Sequence, residues 1–596
     1  MPLNEKTIQT DFCVIGGGVA GTFAAITAAR LGVRTVLVHE RPVFGGNASG
    51  EIRMWVCGAQ QRELREAGLQ EEWELENAYF NPTKNWYLFD TLLYDMVARE
   101  KNLTALPNTT CFDADCEHTG EGGSIRSITA YQMTTQTRWK VEAAYFADCS
   151  GDSILAPLTG AHFMYGREAA GEYGEETVSS RESGDRKTMG NSLLLQARET
   201  DHKIPFIAPD FAEKVSVEKL KSKRVNLQNP SENFWYLELG GNGDVIGDAE
   251  TVNRRLLSLC LGAWDTIKNS GAFDADNFDL EFLGFLPAKR ESRRMRGDYV
   301  LTAGDILRGG PFADTVAYGG WGLDDHNPDG FDGEKSNRNQ PLPGAYGIPY
   351  RCLYSENVEN LFFAGRNISA THMAMSSARV MGSCGCLGQA VGCAAFVAKK
   401  YDTTPRGAGA HVAEIQQLLL HHDCYLPHVS RSVSPLCRSA RLTIRGASAV
   451  ADPEKLRDGQ DRNLEKNATG IRLANGSRIV YDFGDAVPVE GVKIVFDSDL
   501  LRRTVGTDDP TERFHSTRAN ILFTSPVMRV PQTLAKHFRI TGTGADGKET
   551  VLFETERNLR RNVLLAVCGT YKTIALTVFE NYGGTAETGL FTFEVY

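Results

Sequence analysis

The sequence predicts an α/β domain assembled from two distant segments, an α+β insertion between them, and an all-β domain after them. Three observations carry this prediction. Residues 11–40 set a glycine-rich turn between a short apolar strand and an alanine-rich helix. Residues 357–395 show strand, turn and small-residue helix again, more than 300 positions later. From about residue 430 the apolar pattern turns to period two, in seven or so short runs such as RIVYDFG, VKIVFDSD and LFTFEVY.

The first segment reads DFCVIGGGVAGTFAAITAARLGVRTVLVHE. Phe12 to Ile15 form a strand, Thr22 to Leu31 a helix that Gly32 stops, and Thr35 to Val38 a second strand ending at Glu40. Gly16 permits the tight turn, Gly18 lets backbone approach a pyrophosphate, and Gly21 lets helix pack on strand. The helix N-terminus stabilises the anion. Glu40, 19 residues past Gly21, can accept both ribose hydroxyls of an adenosine. Strand, turn, helix and acid together indicate a Rossmann-like dinucleotide site. The plain alternative, a glycine-rich turn without ligand, leaves the acid unexplained.

The stretch FADCSGDSILAPLTGA (146–161) runs from an apolar strand into small residues. It suits a strand returning to the nucleotide sheet, with Asp148, Cys149, Ser150 and Gly151 as a turn passing close to the adenosine. Cys149 and Asp152 are then scaffold beside the ligand. In the late segment, Leu361 to Ala364 form a strand and Gly365-Arg366-Asn367 a turn. The helix that follows carries glycines at 382, 385 and 388, suited to close packing. A buried glycine-rich helix unrelated to any ligand is the alternative there.

With GIPYRCLYS (347–355), AGRNISATH (364–372) and ARVMG (378–382), these motifs resemble the FAD-dependent oxidoreductases related to fumarate reductase flavoproteins. The resemblance covers the chain up to about residue 400. It implies a two-motif FAD-binding domain (1–160 and 345–400) with a substrate domain inserted at 161–344. It implies cofactor contacts from Gly16, Gly18, Gly21, Glu40, Arg41, Gly46, Asn47, Ser49, Asp148, Gly151, Gly365, Arg366 and Asn367. The loop RPVFGGNAS (41–49) is the one such proteins lay along the pyrophosphate and flavin. GGNASGE shows no histidine of the fumarate-reductase covalent type, so noncovalent FAD is expected. The substrate is not fixed by the resemblance.

A flavin dehydrogenase needs a base for the substrate proton while hydride goes to N5. His372, just after the AGRN turn, is the first candidate, with a structural histidine as the alternative. His326 is the second, in GGWGLDDHNP (319–328), where Trp321, Asp324 and an imidazole suit a sugar or other small polar substrate. A turn capped by aspartate would also explain that stretch. Arg351 and Arg53 are candidates near the flavin. In KRESRRMRGD (289–298), four arginines in seven positions form either a solvated face or a source of a guanidinium that orients substrate. Arg293 or Arg294 is the choice.

A net charge of −11 argues against a nucleic-acid partner and disfavours an RNA-modifying flavoprotein. No secretory leader is readable and no apolar stretch approaches the ~18 residues of a membrane span, so a cytoplasmic protein is expected. The 13 cysteines include no C-x-x-C. Most suit reduced core thiols, and Cys384-Gly-Cys386 is a weak redox or metal candidate. No metal is expected. Residues 401–425 read as linker and helix. Residues 426–596 read as a β-sandwich that resembles the discoidin-type, galactose-binding-like jelly roll, a fold that binds glycans in some proteins and only packs in others. No second GxGxxG is present, so the electron acceptor stays open between oxygen, a quinone and a partner protein; a homo-oligomer is compatible. The function expected is an FAD-dependent oxidoreductase acting on a small polar substrate, a sugar or sugar derivative being the candidate. The alternatives are a flavin-binding protein devoted to carbohydrate recognition and an oxidoreductase of a non-carbohydrate acid.

Overall fold

The computed structural model describes residues 3–60, 64–120, 122–446, 452–464, 469–500, 502, 516–525 and 527–596. The chain divides into two compact units: Met1–Gln60, Lys84–Gln416 and Thr507–Pro526 make the first, and Gln61–Thr83, Gln417–Gly506 and Val527–Tyr596 the second. These bounds differ from the expected ones at three places, one being the expected linker and helix 401–425, which divides between the units after Gln416. Residues 61–83 belong to the C-terminal unit, and 507–526 to the first. The second exchange has visible contacts: Ala197 N donates to Asn520 Oδ1 at 3.0 Å, and Trp86 Nε1 to Arg518 O at 2.9 Å.

In the first unit the elements that build the site are β1 (Asn4–Ile15), α1 (Val19–Arg30), β2 (Thr35–Val38), β3 (Leu103–Leu106), β4 (Thr109–Thr119), β5 (Gly122–Gln132), β6 (Thr137–Asp148), β7 (Leu323–His326), β8 (Asn337–Gln340), β9 (Leu361–Phe363), α2 (His372–Ala378) and α3 (Met381–Lys400). The main sheet runs β3-β2-β1-β6-β5-β4. β1, β2, β3 and β6 are parallel, whereas β4, β5 and the first half of β6 form an antiparallel meander. The far end of β6 changes partner: Phe146–Asp148 pair in parallel with β9. The late segment thus completes the sheet begun by β1. Its neighbours explain the composition of β1. Phe12, Cys13 and Val14 are wholly buried, covered on both faces, so the run is apolar without alternation.

α1 and α3 pack backbone to backbone. A Cβ on Gly388 would stand 2.1 Å from Ala20 O, and one on Gly392 2.7 Å from Ala24 O. The glycines and alanines of both helices are the price of that approach. α3 also corrects one reading: it is long and apolar enough to cross a bilayer, yet 89 % of its apolar stretch is buried in this unit. The inserted region has its own core, in which helix Ala249–Asn269 lays Leu256, Leu259, Ala263 and Trp264 against Leu193, Leu195, Phe234 and Phe278.

The second unit is all-antiparallel. Two long strands, Arg478–Phe496 and Asn562–Asn581, pair along their length, with register shifts between Asp482 and Val487 and between Val489 and Gly491. The shifts let Arg478–Phe496 pair with Arg441–Arg445 at one end and with Glu587–Val595 at the other. Inside it, Arg431 binds Asp461 and Glu594, and Arg561 binds Asp423 at 2.9 Å, so buried cations are matched by acids.

Candidate functional site

The glycine turn after β1 opens on a cavity of about 350 Å³ within the first unit. Its three glycines do different work. Gly16 has φ +102°, and a Cβ there would lie 2.4 Å from Cys149 O. A Cβ on Gly21 would lie 1.8 Å from Gly16 O, so Gly21 seats the helix on the turn. A Cβ on Gly18 would meet no heavy atom within 4 Å, and Gly18 lines the cavity. Close packing does not demand that glycine; an approaching ligand does.

Of the expected cofactor positions, Gly16, Gly18, Glu40, Arg41, Gly46, Asn47, Gly151, Gly365 and Arg366 line this cavity. Gly21, Ser49, Asp148 and Asn367 stand behind the lining. Ser49 Oγ donates to Gly46 O at 2.8 Å. Asp148 is fully buried and ties the turn together, accepting from Ser150 N, Ser150 Oγ and Leu155 N. Burial pushes its carboxyl up. Asn367 Nδ2 donates to Asp148 O at 3.2 Å. Gly151 needs a different reason from the expected one. Its φ is +79°, and a Cβ would stand 2.6 Å from Arg366 Nη2, so the clash is with the arginine rather than with the cofactor.

This end of the cavity favours anions. The N-terminal residues of α1 (Val19, Ala20) and of α3 (Met381, Cys384) both line it. Asp152 alone answers two cations, Lys289 at 2.6 Å and Arg366 at 2.8 Å. Burial would raise Asp152, but Arg366 and Lys289 hold it low. Arg366 Nη1 is buried with no hydrogen-bond partner among the described residues. A surplus of positive charge with a spare donor fits a dinucleotide's pyrophosphate.

The opposite end is built on a two-stranded ribbon. β7 and β8 pair with Asp324 opposite Asn339 and His326 opposite Asn337. Period two puts these four side chains on one face, and all four line the cavity. The stretch expected as a glycine-rich loop is therefore a strand where it carries His326. His326 Nδ1 lies 2.6 Å from Glu238 Oε2, Nε2 lies 3.3 Å from Asp324 Oδ2, and the Trp235 ring stands edge-on at 5.2 Å. Glu238 is itself held by Gly190 N at 2.9 Å and Arg290 at 3.3 Å. Burial would raise Glu238, and Arg290 and His326 keep it ionised. Arg379 Nη2 donates to Asp324 O at 3.1 Å, while Arg379 Nε and Trp321 Nε1 are buried without a hydrogen-bond partner among the described residues.

His372 does not line the cavity. It lies wholly buried at the start of α2 and reaches β7 from the other face, through Asp325 at 2.9 Å. Its Nδ1 meets both oxygens of Glu291, at 3.0 and 2.9 Å. Burial alone would lower its pKa; Glu291 and Asp325 outweigh that and raise it to about 9. With both nitrogens donating to carboxylates, the ring has no lone pair for a substrate proton. Arg294 is also fully buried, spanning Glu291 and Glu168 at 2.5 and 2.6 Å. Arg293 stacks on Phe163 at 5.6 Å and donates to Asp152 O. Arg351 pairs with Asp314 at 3.0 Å with 44 % of its side chain exposed. None of these three arginines lines the cavity. Arg53 is buried with φ +66°, donates to Gln196 Oε1 and stacks on Phe282.

Lys289 and Arg290, from the arginine-rich stretch, do line it, as do Arg379, Trp235, Asn337 and Asn339. The stretch is no solvated face: Arg290, Glu291, Ser292 and Arg294 are all buried. The only local signal for Asn337 and Asn339 is the alternation in NRNQ. Glu238 carries none. The thiols of Cys384 and Cys386 are buried and unbridged, Cys384 being pushed up to about 12 by burial. No group of side chains among the described residues could hold a metal ion.

Residues 11–419 match the model of a family described as FAD dependent oxidoreductase. Solved structures give weaker likenesses. THI4 of Thermovibrio ammonificans is 17 % identical over 30 % of this chain and 75 % of its own, with a TM-score of 0.21. The OxyS anhydrotetracycline hydroxylase of Streptomyces rimosus is 13 % identical over 33 % of this chain and 39 % of its own, at 0.22. Chitosan-binding module 1 of a Paenibacillus sp. IK-5 chitosanase/glucanase is 16 % identical over 28 % of this chain and 99 % of its own, at 0.18. At such scores nothing about this chain follows from the likeness.

Proposed function

Because the chain belongs to the FAD dependent oxidoreductase family and is an FAD-dependent oxidoreductase, we propose that it oxidises a small polar substrate, with His326 as the base. The residues present fit FAD. Gly16, Gly18 and the start of α1 would hold the pyrophosphate together with Arg366, Glu40 the ribose, and the start of α3 the anionic edge of the ring system. Bound there without a covalent link, FAD supplies a two-electron acceptor for a substrate hydride.

The protein's own part is to bind, orient and take a proton. His326 Nδ1, 2.6 Å from Glu238, holds the ring in place, and Nε2, 3.3 Å from Asp324 Oδ2, is the nitrogen that a substrate hydroxyl would reach by displacing Asp324. Glu238 is buried and gripped by Arg290, so the imidazole cannot turn freely. Trp235 and Trp321 supply apolar surface and limit water at the reacting carbon. The observation that carries this reading is that His326, and not His372, borders the cavity.

In the same reading the second unit is a galactose-binding-like sandwich, which its antiparallel sheet and bulged long strands support. The unbridged cysteines support a reducing, cytoplasmic setting. Purified protein tests the proposal: it should be yellow, release FAD on mild denaturation, and bleach anaerobically with a reducing substrate. FAD that stays attached to the denatured chain would refute noncovalent binding. Colourless protein that takes up no FAD would refute the whole reading.

A further inference from the structure

We propose that the substrate is an uncharged polyhydroxylated molecule, a sugar or cyclic polyol, rather than a carboxylic acid; this rests on the proposed function and narrows it. The charge pairing along the cavity is the ground. Around the β7–β8 ribbon each lining guanidinium has its own acid: Arg290 has Glu238 at 3.3 Å, and Arg379 has Asp324 at 3.5 Å. A carboxylate substrate would enter a wall whose cations are already neutralised, beside two ionised acids, and its desolvation would go unanswered. The glycine-turn end is built the other way, with Lys289 and Arg366 sharing Asp152.

Hydroxyl groups each donate and accept, and this wall offers both. Arg379 Nε and Trp321 Nε1 are buried donors without partners among the described residues. The Asp324 carboxylate and the Asn337 and Asn339 amides add acceptors on the same face. The tryptophans suit the C–H face of a ring. The step balances: the substrate C–H bond breaks with its electron pair leaving as hydride for FAD, the O–H proton passes to His326 Nε2, and the carbon–oxygen bond becomes a carbonyl.

The test uses the anaerobic holoprotein, with flavin absorbance read against matched pairs: glucose and gluconate, galactose and galacturonate, myo-inositol and glucuronate. Neutral members should perturb or bleach the flavin at concentrations at least about tenfold lower than their acids. Spectral perturbation by neutral members without bleaching would sustain this inference while sinking the oxidoreductase step. Bleaching by acids equally or preferentially would overturn the inference and leave the oxidoreductase standing. No response to any neutral member also overturns it. Asp324→Asn, which strips Arg379 of its counter-charge, should shift the ratio toward the acids by about tenfold. If that variant does not hold FAD, the wild-type comparison decides alone.

Discussion

His326 belongs to β7 and His372 meets that strand from the opposite face, and each sits between two carboxylates. On one face of β7, His326 has Glu238 and Asp324, and borders the cavity. On the other, His372 has Glu291 and Asp325, and is sealed. Flanking acids therefore do not distinguish a base from a structural cation; access does. The sealed ring is held as an imidazolium that pins Asp325, and with it the strand carrying His326. The accessible ring can give up its second nitrogen to a substrate.

Breaking this contrast should show first at His326. His326→Asn should slow substrate-driven flavin reduction by about 10²–10⁴-fold, with FAD content unchanged. His372→Asn should instead cost about 3 kcal/mol of stability, read by thermal or urea melts, because it removes the imidazolium between Glu291 and Asp325 and leaves the buried Glu291 with Arg294 as its one remaining cation among the described residues. Its reduction rate per folded holoprotein should stay within a few-fold of wild type. A stable His372→Asn protein with reduction abolished would collapse the distinction.

The same histidine should set an alkaline limit. Its pKa in the fold, about 9, lies above the ordinary 6.5. The stabilisation is thus complete below that ordinary value, shrinks between the two, and is lost as pH rises through about 9. The loss should reach about 3 kcal/mol and be missing from His372→Asn. At the other end of the cavity, Gly151→Leu should displace Arg366 and weaken FAD retention by at least about tenfold. A Gly151→Leu protein with stoichiometric FAD would show that Arg366 can yield. The smallest effect belongs to Trp321→Phe, which keeps a smaller aromatic face and removes one donor: a rise in KM worth about 1 kcal/mol, with kcat little changed.

The two ends of the cavity also differ in how far they could be read from sequence. The glycine turn is local: Gly16, Gly18, Gly21 and Glu40 lie in one stretch, and their spacing states the geometry. The return of β9 to β6 was legible because AGRN ends a strand in the same manner. The ribbon end was legible only in part: GGWGLDDHNP pointed to Trp321, Asp324 and His326, but Glu238, Arg290, Asn337 and Arg379 come from separate segments that only the fold brings together. KRESRRMR shows why. As sequence it is one charged run, and in the fold its members find different partners: Asp152 for Lys289, Glu238 for Arg290, Glu168 and Glu291 for Arg294. Burial decides those roles, and burial is not written in a charge pattern. In the second unit, period two marked the strands, while the transfer of 61–83 into it had no local signal.

The most direct test mixes anaerobic holoprotein with a substrate that bleaches it, in wild type, His326→Asn and His372→Asn, and follows flavin absorbance in a stopped-flow instrument. The expected result is rapid bleaching in wild type and in His372→Asn, and bleaching slowed at least about 10²-fold in His326→Asn. Equal rates in wild type and His326→Asn, with the loss falling on His372→Asn alone, would contradict it.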